Sequence, residues 1–191
     1  MNARIRTLVR TPWFWGLVGI VLLLAINTIK DPTYLAIGIN PTTGLLAGNV
    51  LDILRVSSPI IMIALGMTFV IATSGIDLSV GSIMAVGGAV AMVTLSEIGQ
   101  AESFGAMAAA IGLAVLLGAV LGSINGLLVS VVGLQPFIST LVMMLAARGI
   151  ARVITGGQNT NATNGPFKQI ANGQFFGLPI SFVVAIALVI I

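Results

Sequence analysis

Long apolar runs, separated by short polar clusters, organise this sequence. A chain crosses a bilayer most simply as a helix of about 20 apolar residues, because only an internally hydrogen-bonded backbone tolerates hydrocarbon. Five runs meet that length: Trp13 to Ile29, Ile53 to Thr73, Ser79 to Ser96, Ala106 to Val132 and Phe137 to Ile154. A sixth opens near Pro179 and is still apolar at Ile191. The pattern predicts an all-α, polytopic transmembrane helical bundle of about six spans, a single transmembrane domain over residues 1–191. Phe182 to Ile191 supplies only about half a crossing, with no charge or interfacial anchor after it. The sequence is therefore expected to stop within a helix, as the N-terminal part of something longer.

Composition removes the soluble alternatives. Hydrophobic residues make up 58%, and glycine raises the apolar share to about 70%, against roughly 45–50% in soluble proteins. Charged residues are 7% of the 191, too few to cover a core with a hydrated surface. The excess of eight Lys and Arg over five Asp and Glu is no nucleic-acid footprint, since three of the eight, Arg4, Arg6 and Arg10, crowd the first ten residues. The absence of cysteine and histidine excludes Cys/His zinc sites, disulfides, thiol nucleophiles and Ser-His-Asp hydrolysis. No catalytic constellation, metal site or cofactor is expected. Neither lysine, Lys30 or Lys168, follows a phosphate-cradling glycine loop, so nucleotide hydrolysis would have to come from another chain.

Charge placement orients the spans. The three N-terminal arginines, with Trp13 and Trp15 at the mouth of the first span, predict a cytoplasmic N-terminus. A cleaved signal peptide is disfavoured because Leu24-Ala25-Ile26-Asn27 offers no small-x-small site. Counting crossings puts Lys30 to Asp52 outside, Ser74 to Leu78 inside, Glu97 and Glu102 outside, Gln135-Pro136 inside and Thr155 to Leu178 outside. Arg148 and Arg152 then fall at the outer end of the fifth span, against the positive-inside bias. Asn161-Ala162-Thr163 matches a glycosylation acceptor but carries little weight.

Helices in lipid associate through close contact of small residues. Gly118, Gly122 and Gly126 form such a ridge on the fourth span, and Gly81, Ala85 and Ala89 share a register on the third. Polar groups inside spans ask for a reason. Asp77 follows a helix break at Ser74 and Gly75 and has two readings: N-cap of the third helix, or part of a discontinuous helix lining a polar pathway. Asn125 is expected to hydrogen-bond between helices, and Arg148 to pair with a carboxylate or carbonyl. Asp77, Asn125 and Arg148 are the candidates for a substrate path.

The run Gly66-Met67-Thr68-Phe69-Val70-Ile71-Ala72-Thr73-Ser74-Gly75-Ile76-Asp77-Leu78-Ser79-Val80-Gly81-Ser82 resembles the signature of the permease subunits of ribose-type bacterial ABC importers. Asn125-Gly126-Leu127-Leu128-Val129, Gln135-Pro136-Phe137-Ile138-Ser139-Thr140-Leu141 and Arg148-Gly149 resemble the family's next block. The resemblance covers about Ile53 to Gly157. It implies an inner-membrane subunit pairing with a second permease copy or paralogue, two cytoplasmic ATPase subunits and a periplasmic sugar-binding protein. Pentoses and hexoses are the implied substrates, closest to the galactofuranose/ribose branch. The family's ATPase-docking segment is expected after the sixth span and is absent from this sequence. Permeases for nucleosides or branched-chain amino acids are the near alternatives; an ion-coupled carrier and a non-transporting scaffold are the distant ones.

Overall fold

The computed structural model describes residues 9–98, 103–161 and 164–191; Arg4, Arg6, Glu102, Ala162 and Thr163 lie outside them. Helices dominate: α1 (Pro12–Lys30), α2 (Asn49–Ala72), α3 (Val80–Ile98), α4 (Phe104–Ser130), α5 (Pro136–Ile154), α6 (Gly165–Asn172) and α7 (Ile180–Ile190). The first five are long and apolar enough to cross a membrane, and the fold is an all-α, polytopic membrane bundle. At 1.5 Å per residue, the 11 residues of α7 reach about 16 Å, roughly half the hydrocarbon thickness.

Two compact units divide the chain, 1–56 and 57–191, with the boundary inside α2 beside Pro59, which lacks the N–H that would continue the helical ladder. In the first unit no residue of α1 is buried. The connection from α1 to α2 pairs β1 (Gly38–Ile39) with β2 (Leu46–Ala47). Two Asx turns shape it. Asp31 Oδ1 accepts the Thr33 N–H and hydroxyl, and Asn40 Oδ1 accepts those of Thr42. The Thr33 hydrogen bonds hold the exposed Asp31 carboxyl below the ordinary carboxylate range.

The second unit is built on α3, α4 and α5. Ala91 and Leu95 of α3 pack on Ala106 and Ala110 of α4, with Phe167 of α6 against them. Alanines let the backbones approach closely, which is what holds helices together where lipid is the solvent. The closest glycine contact between α3 and α4 is at Gly87: a Cβ there would sit 3.6 Å from the Ala114 carbonyl oxygen. Gly118 approaches Ile83 more loosely, at 3.9 Å, and Gly81, Gly122 and Gly126 have no atom within 4 Å of a Cβ position. Among the described residues, then, the ridge on α4 is in contact only at Gly118.

The stretch from Thr155 to Leu178, which the sequence presents as merely polar, carries α6 and a hairpin of β3 (Gln174–Phe175) with β4 (Leu178–Pro179). Asn164 ties it to the bundle. Its Oδ1 accepts the Phe167 N–H and its Nδ2 donates to the Ser103 carbonyl, while Ser103 Oγ caps α4 by accepting the Ala106 N–H.

Candidate functional site

The turn between α2 and α3 begins where Ser74 adopts a left-handed conformation, φ 59°. The Ser74 N–H reaches the Ile71 carbonyl and the Gly75 N–H the Val70 carbonyl, both at 2.9 Å. This double bond pattern satisfies carbonyls that the helix end leaves open. A side chain on Gly75 would place its Cβ 3.2 Å from the Val70 carbonyl oxygen, so the smallest residue fits there.

Asp77 follows, half-buried. Its Oδ1 accepts the Ser79 N–H at 2.7 Å and the Ser79 hydroxyl at 2.6 Å. The sequence offered Asp77 as the cap of the third helix. The structure gives the capping position to Ser79, whose carbonyl receives the Ser82 and Ile83 N–H groups at 2.9 Å. Asp77 stands two residues earlier and orients Ser79. The segment joins two separate spans, α2 and α3, rather than interrupting one.

Ser79 connects this turn to the rest of the bundle. Asn125 of α4 donates from Nδ2 to Ser79 Oγ at 3.2 Å, and Ser139 of α5 donates its hydroxyl to Asn125 Oδ1 at 2.7 Å. Beside it, the Thr140 hydroxyl bonds the Pro136 carbonyl at 2.8 Å and comes within 3.3 Å of the Ile76 carbonyl. Ser79, Asn125, Ser139 and Thr140 are all buried. A buried amide without partners would cost about 1–3 kcal/mol; here both ends of the Asn125 amide are used.

A cavity of about 410 Å³ opens against this series. Asp77, Asn125 and Thr140 lie on its wall with Thr73 and Ser130, among Val70, Ile76, Val129 and Pro136. Gly122 and Gly126 leave the α4 side of it as bare backbone. One carboxylate beside three hydroxyls and one amide, with no imidazole or thiol in the chain, can accept and orient hydroxyl groups of a ligand; it holds no acid–base pair.

Of the sequence candidates, the structure brings Asp77 and Asn125 together beside the Ser74–Gly75 turn, and separates Arg148. That arginine is exposed and lies 12 residues along α5 from Pro136, about 18 Å. It makes no hydrogen bond or ion pair with other described residues. Ser79, Ser139 and Thr140 escaped the sequence reading. Hydroxyls in apolar helices commonly satisfy themselves on the preceding turn, as Thr68 and Ser130 do here, so nothing in their type marked these three.

A family model described as the permease component of branched-chain amino acid transport systems matches residues 49–191. The fructose import permease protein FruF of Bifidobacterium longum is 47% identical over 194 residues, covering 100% of this chain and 53% of that protein. The galactofuranose transporter permease protein YtfT of Escherichia coli is 34% identical over 92% of this chain and 49% of its own length. The ribose import permease protein RbsC of Escherichia coli is 40% identical over 76% of this chain and 40% of its own. The chain thus spans about half the length of the curated relatives it matches. No solved structure matches it.

Proposed function

This chain belongs to the family of transport-system permease components, and on that premise we propose that it is the membrane subunit of an ABC importer for a monosaccharide. The observation that carries the reading is the hydrogen-bonded series Asp77, Ser79, Asn125 and Ser139, two of whose members, Asp77 and Asn125, lie on the wall of a cavity in an apolar bundle. The named cargoes of the similar permeases, fructose, galactofuranose and ribose, support a sugar.

The subunit performs no covalent chemistry. It lies in a bacterial inner membrane with its N-terminus cytoplasmic and pairs with a second permease copy or paralogue. Two cytoplasmic ATPase subunits bias the pair between outward- and inward-open states through their own affinity for one of them. A periplasmic binding protein delivers the sugar. Asp77 and Asn125 are the substrate-path residues of this reading; Arg148, remote from both, is not placed on the path.

The family's own description, naming branched-chain amino acids, gives the second reading. Both are tested by reconstituting the permease with its ATPases and binding protein in proteoliposomes. ATP-dependent accumulation of radiolabelled fructose, ribose or galactose is the expected result. Accumulation of leucine alone would establish the second reading, and accumulation of neither would overturn both.

A further inference from the structure

The hairpin that leads into α7 closes on a turn that its side chains do not favour. Between β3 and β4 the two connecting residues, Phe176 and Gly177, are both left-handed, at φ 50° and 80°, as the tightest hairpin connection requires. Glycine takes that conformation freely and asparagine tolerates it, but a bulky aromatic residue there is an outlier. The hairpin of β1 and β2 obeys the rule: its connection, Asn40-Pro41-Thr42-Thr43-Gly44-Leu45, puts glycine at the left-handed position, φ 67°. A strained backbone under a large side chain points to a use for that side chain.

The foot of the hairpin is packed and its tip is bare. Pro179 is fully buried, the Ile180 N–H bonds the Gly173 carbonyl at 3.1 Å, and a Cβ at Gly173 would come within 2.8 Å of Ile180 Cδ1. Just upstream, Phe167 and Asn164 hold α6 on the bundle. Phe176, by contrast, is 93% exposed and Phe175 57%. Successive strand residues point to opposite faces, yet here the two rings meet edge to face, with centroids 4.6 Å apart. They form one apolar tip, and no charged residue lies between Gln169 and Ile191.

Depth selects what covers the tip. Because α7 is an uncharged apolar helix, its first residue, Ile180, lies at the boundary of the hydrocarbon. The tip stands two residues beyond the Gln174–Pro179 pair that adjoins Ile180, a reach of about 7 Å. The headgroup layer on one face of a bilayer is about 5–7 Å deep, and Phe, Trp and Leu are the side chains that enter its lower edge. The exposed apolar surface continues from the tip through Leu178 to Val184 and Leu188 of α7. We propose that Phe175 and Phe176 are an interfacial anchor, seated on a phospholipid surface at the headgroup–acyl boundary beside α7. An uncharged tip needs no anionic lipid. The inference requires α7 to lie in the membrane and is independent of what the protein transports.

The chain has no cysteine, so Phe175→Cys, Phe176→Cys and Ile186→Cys each take one nitrobenzoxadiazole fluorophore on the full chain in phosphatidylcholine vesicles. Quenching is read from a nitroxide on the lipid headgroup, a nitroxide midway down the acyl chain, and aqueous iodide. At both Phe positions the headgroup nitroxide is expected to quench about twofold more than the mid-chain one, the depth at which interfacial side chains lie. At Ile186, about 9 Å along α7 from Ile180, the order is expected to reverse. Quenching by iodide alone at both Phe positions overturns the anchor. Protection from iodide without quenching by either nitroxide overturns it in favour of a protein cover, a second copy or a binding partner. Quenching by iodide alone at Ile186 removes α7 from the bilayer and the anchor with it. Phe176→Asn separates anchoring from folding, because asparagine before glycine suits this turn better than phenylalanine does. In the Phe175→Cys background it is expected to raise iodide quenching at least about twofold, through loss of the buried ring, whereas Phe176→Trp is expected to leave it unchanged. Equal iodide quenching with Phe, Asn and Trp at this position overturns the role of Phe176.

Discussion

Among the described residues, three Asx turns share one local geometry. Asp31, Asn40 and Asp77 each accept the N–H and hydroxyl of the residue two positions on. Of these three, Asp77 is the one whose oriented hydroxyl, among the described residues, goes on to meet a side chain from another helix, Asn125. The turn is therefore ordinary, and its partner makes the site. Asn125→Leu removes the one group that serves both Ser79 and Ser139 and leaves those buried hydroxyls short of a partner. A loss of about 1–3 kcal/mol is expected, measured as lowered unfolding stability in detergent. The backbone at Ser74 offers the opposite sign. A left-handed residue other than glycine costs about 1–2 kcal/mol, and α5 meets the same requirement with Gly156. Ser74→Gly is thus expected to raise stability by up to ~1 kcal/mol, and Gly156→Ala to lower it by a similar amount. Thermal melts of the two variants in one detergent check both signs.

At the scale of helices, contact is set by which glycines face a neighbour and not by how regularly they are spaced. Gly87 is in van der Waals contact with Ala114 and has no place in the Gly118-Gly122-Gly126 ridge that the spacing singles out. Gly87→Leu is expected to push α3 from α4 at a cost of about 1–3 kcal/mol. Gly122→Ala, with open space before it, is expected to stay within about 0.5 kcal/mol of the parent. Unfolding of both variants in detergent decides the order, and equal effects would contradict the packing described. The same contrast explains what the sequence could disclose. Span positions were legible because length and apolarity alone define them, and the five long helices begin and end within a few residues of the runs. The hairpins were not, since two-residue strands leave no alternation to read. Asp77 and Asn125 stood out as polar residues in apolar surroundings. Their link runs through Ser79, 46 residues from Asn125, and depends on helix rotation, which cannot be read from a glycine-rich sequence without a clear apolar stripe.

For the molecule as a whole, five helices able to cross a membrane fix the sidedness of every connection once one end is placed. Arg10 and Glu97 are separated by α1, α2 and α3, an odd number of crossings. The chain has no cysteine, so Arg10→Cys and Glu97→Cys each introduce a single thiol. A membrane-impermeant maleimide is expected to label them from opposite faces. Labelling from the same face would mean that one of the three helices does not cross.

The hydrogen-bonded series has a sense as well as a location. From Ser139 through Asn125 and Ser79 to Asp77, every proton points the same way, each donor handing toward the carboxylate. A main-chain donor imposes this: the Asp77 Oδ1 that accepts the Ser79 hydroxyl also accepts the Ser79 N–H, which can only donate, so an acceptor is held at that end. In Asp77→Asn the amide oxygen would keep that place, as the amide oxygen of Asn40 does in its own turn, and Asn125 would keep its orientation. The sense of the series is thus written by the backbone and not by charge: Asp77→Asn is expected to leave one environment at Asn125, and Asp77→Leu, which removes the acceptor, is expected to show more than one.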